Sequence, residues 1–268
     1  MGRTERTVRM AVPDPNFQVR LAADDLDLMA AQRLRYLVFV QELGADGPLV
    51  DHVAQLERDR FDPFFDLLLL IDTNKDPKLG EHVVGVYRLM PGARADQAGG
   101  FYSESEYDLT ALRQSGRPLL ELGRSCVHPH YRGGAGMVHL WAGLADYVLE
   151  HGIEVLFGVA SFHGTDLAKL APALSYLHHT HLAPAPLRVT ARGPHAHALD
   201  MIPADQIDRP AALRTMPALI KAYLRLGGFV GDGAFIDRAF NTTDVCLVMD
   251  TAQMSERHRA FYTRKSED

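Results

Sequence analysis

A glutamate and an arginine three residues apart, Glu121 and Arg124, interrupt an otherwise apolar stretch. The chain then breaks into Pro, Tyr, Arg and paired glycines: ELGRSCVHPHYRGG, residues 121–134. Buried charges are expensive and need partners. A carboxylate in this setting suits a general base, acting directly or through one water. A structural Glu–Arg pair is the other reading, and Arg124 orienting Glu121 would satisfy both. Residues an odd number apart on a regular strand point to opposite faces. Bringing the two together therefore calls for a bulge, expected near Gly123, which would also splay the strand from its neighbour. Small residues on the following strand, Gly158 and Ala160, suit such an opening.

Downstream, Arg132, Gly133, Gly134 and Gly136 precede a run with helical periodicity. Free N–H groups and the dipole at a helix start form an anion site, and glycine lets the backbone approach closely. An oxyanion is expected to meet a backbone N–H near Cys126, Val127 or His128, because side-chain donors are scarce there. Cys126 reads as a core residue, with no base beside it to make it a nucleophile. Ser161 follows the next strand, where it either holds part of a ligand or caps a turn. The cluster His178, His179 and His181 lacks the i, i+4 spacing and the acidic or thiol partners of a metal site, so no metal is expected.

The elements that must position these residues follow from periodicity. Residues 24–43 carry apolar residues at helical spacing behind a potential Asp24 cap. FFDLLLLID and HVVGVYRLM read as adjacent strands, RPLLELGRSCVH as a third and EVLFGVAS as a fourth. A helix beginning after Gly136 separates the last two, and TDVCLVMD forms a late strand. ESEYDLTALRQS reads as a short helix, and residues 162–230 as less regular. The order gives an α/β fold with a central mixed sheet flanked by helices.

Composition narrows the function classes. The 268 residues are 47% hydrophobic and 23% charged, which suits one globular core with an appended piece. A formal charge of −6 and the absence of basic runs argue against a nucleic-acid partner. Two cysteines outside any CxxC pattern suit a reducing, cytoplasmic setting. The charged start lacks a secretory apolar core, and no apolar run is long enough to span a bilayer.

Four motifs carry a resemblance. RYLVFVQELG (35–44), ERDRFD (57–62), GVYRLMP (85–91) and ELGRSCV (121–127) occur in the order seen in acyl-homoserine-lactone synthases. The strand, loop and helix start at 119–137 are similar to the central strand and acyl-donor loop of the GNAT acyltransferases. Across residues 18–262 the chain resembles the ornithine-acyl-carrier-protein N-acyltransferases of bacterial ornithine lipid synthesis. That likeness includes CVHPHYR, LWAGLADYV, GVASFHGTD, LSYLHHTHLAP, PALIKAYLRLGG and GDGAFIDRAFNTTDVCLVM.

The resemblance implies a GNAT-like fold over 18–262, with an N-terminal extension at 1–17, a family-specific half at about 162–262 and a tail at 263–268. It implies transfer of a 3-hydroxyacyl chain from acyl carrier protein to the α-amine of ornithine. Cys126, Val127, His128, Arg132, Gly133, Gly134, Gly136 and Ser161 would face the donor. Arg35, Glu57, Asp59, Asp62 and Arg88 would form the acceptor pocket and its support. The protein would hold no cofactor of its own, since the phosphopantetheine belongs to the donor. Lys221 and Arg225, one helical turn apart, suit a peripheral contact with the inner membrane or with the carrier protein. Another acceptor such as glutamine, a lactone synthase using S-adenosylmethionine, and an idle carrier-binding module remain as alternatives at the level of sequence.

Overall fold

Apolar strands that bury both faces need a layer on each side, and one large sheet with helices above and below provides it. A computed structural model describes residues 14–133 and 135–253. Its strands are β1 (Phe17–Leu21), β2 (Asp66–Asp72), β3 (Val83–Pro91), β4 (Tyr107–Asp108), β5 (Leu119–Val127), β6 (Val155–His163), β7 (Thr190–Ala191), β8 (Ala196–His197), β9 (Phe229–Val230), β10 (Ala234–Asp237) and β11 (Thr242–Asp250). The helices are α1 (Asp25–Arg35), α2 (Gly92–Ala95), α3 (Thr110–Gln114), α4 (Gly136–Glu150), α5 (Leu167–His181), α6 (Arg209–Thr215) and α7 (Ala218–Arg225).

The main sheet runs β1-β2-β3-β5-β6-β11-β10-β8, with β9 also paired to β11, and β4 and β7 form a separate pair. Among the described strand pairs of this sheet only β5 and β6 are parallel, because α4 carries the chain back across the sheet between them. One face packs against Leu140 and Leu144 of α4, Leu174 of α5 and Ile220 of α7. The other packs against Ala30, Ala31 and Leu34 of α1 and Leu112 of α3. We term these the α4 face and the α1 face.

Several elements depart from expectation. Helix α1 is capped by Asp24, whose side chain accepts from the Asp27 amide, and continues as a π-helical segment over Tyr36–Glu42. Within the stretch expected to be less regular lies the 15-residue α5, which contains Pro172. Phe17, expected as the last residue of an extension, opens β1, and the C-terminal strands belong to the main sheet. The expected tail, 263–268, lies outside the described residues, as do 1–13 and 254–262.

The feature that matters for function is a parting of β5 from β6. They pair only where Leu119–Glu121 meets Val155–Phe157. Gly158 stands at the apex: a Cβ there would lie 2.1 Å from the Leu122 carbonyl oxygen. Its smallness therefore permits the closest approach of the two backbones, rather than widening the gap as its sequence context suggests. Gly158→Ala should destabilise the fold by roughly 1–3 kcal/mol through overpacking against backbone. Thermal unfolding checks this, and an unchanged midpoint would contradict the packing at the apex.

Candidate active site

A bulge rebuilds β5 just past the apex. Val86 pairs with Cys126 and Arg88 with Gly123, so Tyr87 alone faces both Arg124 and Ser125. The extra residue reverses side-chain parity: Leu120, Leu122 and Val127 belong to the α4 face, while Leu119 and Cys126 belong to the α1 face. Arg124 takes φ +47°, a conformation costing a non-glycine residue about 1–3 kcal/mol unless its surroundings hold it. Here they do: its Nε donates to Glu57 at 3.2 Å and its Nη2 lies 3.6 Å from Asp59. The guanidinium also stands 4.5 Å from the Phe240 ring centre and 5.0 Å from that of Tyr102.

Arg124 is one member of a buried charge network. Arg35 donates through Nε to Glu57 and through Nη1 to Asp62 at 2.7 Å. Arg88 Nη1 reaches Asp59 at 2.7 Å and Asp62 at 2.9 Å, with its guanidinium over Phe65. Three arginines thus meet three carboxylates, and the formal charges cancel. Burial alone would raise the pKa of Glu57, but Arg124 and Arg35 outweigh it and hold the carboxyl down at about 2.

Where β5 and β6 part, a cavity of about 210 Å³ opens through the sheet. Its apolar wall, Leu122, Leu247 and Met249, lies on the α4 face with Tyr87. Leu156, Tyr223 and Met249 also border a second hollow of about 390 Å³ between α4, α7 and the sheet, lined by Trp141, Leu144 and Val148. The polar wall carries Arg124, Ser125 and Ser161 together with Glu106, Asp237 and Asp244. One oxygen from each of these three acids lies within 4.8 Å of the other two. Burial raises the Glu106 carboxyl well above its ordinary range, with Asp244 adding to the effect, and burial lifts Asp244 to about 6. The Tyr107 hydroxyl, reaching the carbonyls of Asp244 at 2.9 Å and Gly233 at 3.1 Å, ties the Glu106 segment to β11.

The residues expected from sequence fall into separate groups. Glu121, 1% exposed, accepts from the amides of Tyr102 at 2.9 Å and Ser103 at 2.6 Å, and burial raises its pKa. It stands behind the cavity wall, and the orienting partner expected for it, Arg124, pairs with Glu57 and Asp59 instead. Arg35, Glu57, Asp59, Asp62 and Arg88 do come together, in the neutral network, and none of them reaches the cavity wall. Burial pushes the Cys126 thiol up to about 12, in keeping with a core residue.

The expected donor residues are divided as well. Val127 pairs with Gly85, and the His128 amide is taken by the Val84 carbonyl at 2.9 Å, which removes it as an oxyanion donor. His128 and Arg132 line a separate groove beside the start of α4. Arg132 is held there by two 2.6 Å bonds to Glu42. Gly133 takes φ +76°, Gly136 begins α4, and Gly134 lies outside the described residues. Ser161 sits opposite Asp244 on the cavity wall. The histidine cluster ends α5 away from the cavity, where His179 meets Asp200 at 3.0 Å. Lys221 of α7 donates to the Leu213 carbonyl.

Sequence reasoning missed Glu106, Asp237 and Asp244. A signal was present for one: Asp244 is a charge near the start of an otherwise apolar strand.

The network makes its own prediction. Arg88→Met removes the closest partner of Asp59 and one of the two partners of Asp62, leaving the buried network one positive charge short, and should cost about 3–5 kcal/mol. Glu57→Gln should destabilise most above pH 4.5, where the wild-type carboxylate is charged in both folded and unfolded chains. Because the folded pKa is depressed, that stabilisation is lost as pH falls through about 2. Denaturant titrations from pH 7 to pH 2 should therefore show the gap between variant and wild type closing.

Residues 34–142 match the acetyltransferase (GNAT) domain family. An N-acyl amino acid synthase from uncultured soil microbes superposes with TM-score 0.52 at 13% identity, over 89% of this chain and 93% of its own. A CoA-dependent acyl-homoserine lactone synthase gives 0.51 at 16% identity, over 90% and 85%. Both are likenesses of fold. In sequence, the chain is 59% identical over 258 residues to an L-ornithine N(alpha)-acyltransferase of Rhodobacter capsulatus, covering 96% of this chain and 99% of the relative. It is 44% identical over 250 residues to one of Brucella abortus, covering 92% and 89%. With identity at this level along nearly its whole length, the chain belongs to the L-ornithine N(alpha)-acyltransferase family.

Proposed function

We propose that this protein transfers an acyl chain, 3-hydroxylated in its preferred form, from the phosphopantetheine thioester of acyl carrier protein to the α-amine of ornithine, giving lyso-ornithine lipid. The observation that carries this reading is the two-sided cavity: charged on the α1 face, apolar on the α4 face, and joined through the gap between β5 and β6. A thioester carbonyl at the gap would direct its acyl chain toward Tyr223, Met249 and the hollow beneath α4. An amino acid entering from the other face would meet charge first.

The chemistry follows from that arrangement. The α-ammonium loses one proton to solvent, the free amine attacks the thioester carbon, a C–N bond forms as the C–S bond breaks, and the attacking nitrogen sheds a second proton. The departing thiolate takes up a proton. Arg124 is the cation on the cavity wall and suits the carboxylate of the amino acid. Arg35, Arg88, Glu57, Asp59 and Asp62 hold Arg124 in its left-handed conformation. Glu121 serves as a positioning residue, anchoring the turn at 102–103 that leads to Glu106.

The direct test gives purified protein 3-hydroxyacyl carrier protein, or the same acyl group on coenzyme A, with ornithine, lysine, glutamine and S-adenosylmethionine in equal amounts. Mass spectrometry should find acyl-ornithine, formed faster from the carrier protein; a lactone, or no product, would overturn the reading. Arg124→Lys keeps a charge for Glu57 but loses the planar fork. It should raise the KM for ornithine by roughly 10- to 100-fold, the worth of a charge-assisted contact, with the donor KM little changed.

A further inference from the structure

Glu106, Asp237 and Asp244 present a problem of charge. Glu106 and Asp244 are each 3% exposed, and Glu106 Oε2 and Asp244 Oδ1 have no hydrogen-bond partner among the described residues. Carboxylates buried this way are costly unless a cation answers them. The nearby arginines answer them only in part: Arg35 and Arg88 are matched by Glu57, Asp59 and Asp62, and Arg124, which favours the charged forms of Glu106 and Asp244, is shared with Glu57 and Asp59. Two acids of one hairpin and a third from the segment before β4 are thus held close together. Tyr107 fixes two of these segments by hydrogen bonds, and the β10–β11 hairpin supplies Asp237.

The spacing suits one kind of cation. A primary ammonium has three N–H donors in a tetrahedral fan. At hydrogen-bond lengths of about 2.8 Å, its three acceptors stand about 4.6 Å apart. One oxygen from each acid lies within 4.8 Å of the others, around a cavity wide enough to admit a ligand. A calcium or magnesium ion would want six or more oxygens, and the Arg124 guanidinium on the same wall opposes a double positive charge more than a single one.

We propose that Glu106, Asp237 and Asp244 form the cradle for the side-chain ammonium of the acceptor. It selects a diamino acid and keeps the distal nitrogen protonated and non-nucleophilic, while Arg124 takes the carboxylate. This rests on the reading of the cavity as an amino-acid acceptor site. The cradle gives that site its specificity, and it directs reaction to the α-amine because only that nitrogen is free to lose its proton.

The experiment compares ornithine with norvaline, which has the same carbon chain and no side-chain ammonium. Calorimetric binding to the full chain is measured first, since it does not depend on acyl transfer. Wild type should bind ornithine at least tenfold more tightly. Asp237→Asn, at a partly exposed position, and Asp244→Asn should each remove most of that preference by weakening ornithine and leaving norvaline within about twofold. Asp244→Asn should also raise the thermal midpoint at pH 7.5, because a buried charge is removed.

Equal binding of the two amino acids by wild type would overturn the cradle, as would variants that weaken both in parallel. Calcium binding abolished by Asp237→Asn, without discrimination between the amino acids, would assign the acids to a metal and also overturn it. Failure of acyl transfer with every amino acid, alongside intact discrimination in binding, would instead overturn the proposed reaction and leave the cradle standing.

Discussion

Three guanidinium groups and three carboxylates share one buried space, and the arrangement is tolerable only because every charge has an opposite beside it. Removing one member leaves the others stranded. This constraint ties together parts of the chain that secondary structure alone would leave independent: the end of α1, the loop at 57–62, the middle of β3 and the bulge in β5. It also holds Arg124 in a backbone conformation that arginine rarely takes. The bulge in turn fixes which side chains of β5 face the charged side, so the geometry of the cavity is inherited from a network of which Arg124 alone lines it.

The cavity's two characters come from the period of a β-strand. Alternate residues of β5, β6 and β11 face opposite layers, so charge can collect on one face while the other stays apolar. Asp244 and Cys246 lie on the α1 side, Val245 and Leu247 on the α4 side. The gap between β5 and β6 is where the two sides meet. Its narrow end is set by Gly158, and its bulged lip by Arg124 and Ser125.

Much of this was legible in sequence. The long strands and α4 follow from hydrophobic runs bounded by turns, and the α/β class follows from their order. A bulge was expected near Gly123 because Glu121 and Arg124 could not otherwise share a face; it falls one residue later. The grouping of Arg35, Glu57, Asp59, Asp62 and Arg88 was anticipated by motif order, but its mutual neutralisation was not, since pairing depends on distances that sequence does not carry. Helix α5 was obscured by Pro172 and the flanking prolines. The acid cluster was hidden by separation, for Glu106 and Asp244 stand far apart in the chain and only closure of the sheet brings them together. Glu106 lies in a segment that reads as a short helix.

Separation of the two chambers by strand parity bears on how such an enzyme can diversify. A substitution at an even position of β11 alters the charged side of the cavity, and one at an odd position alters the apolar side. Each leaves the other's surface in place. The two substrate preferences are therefore free to drift as independent traits, while the strands and the bulge that unite them stay fixed. A lineage could change the character of one chamber without surrendering that of the other, by exchanging a handful of side chains on one face of a shared sheet.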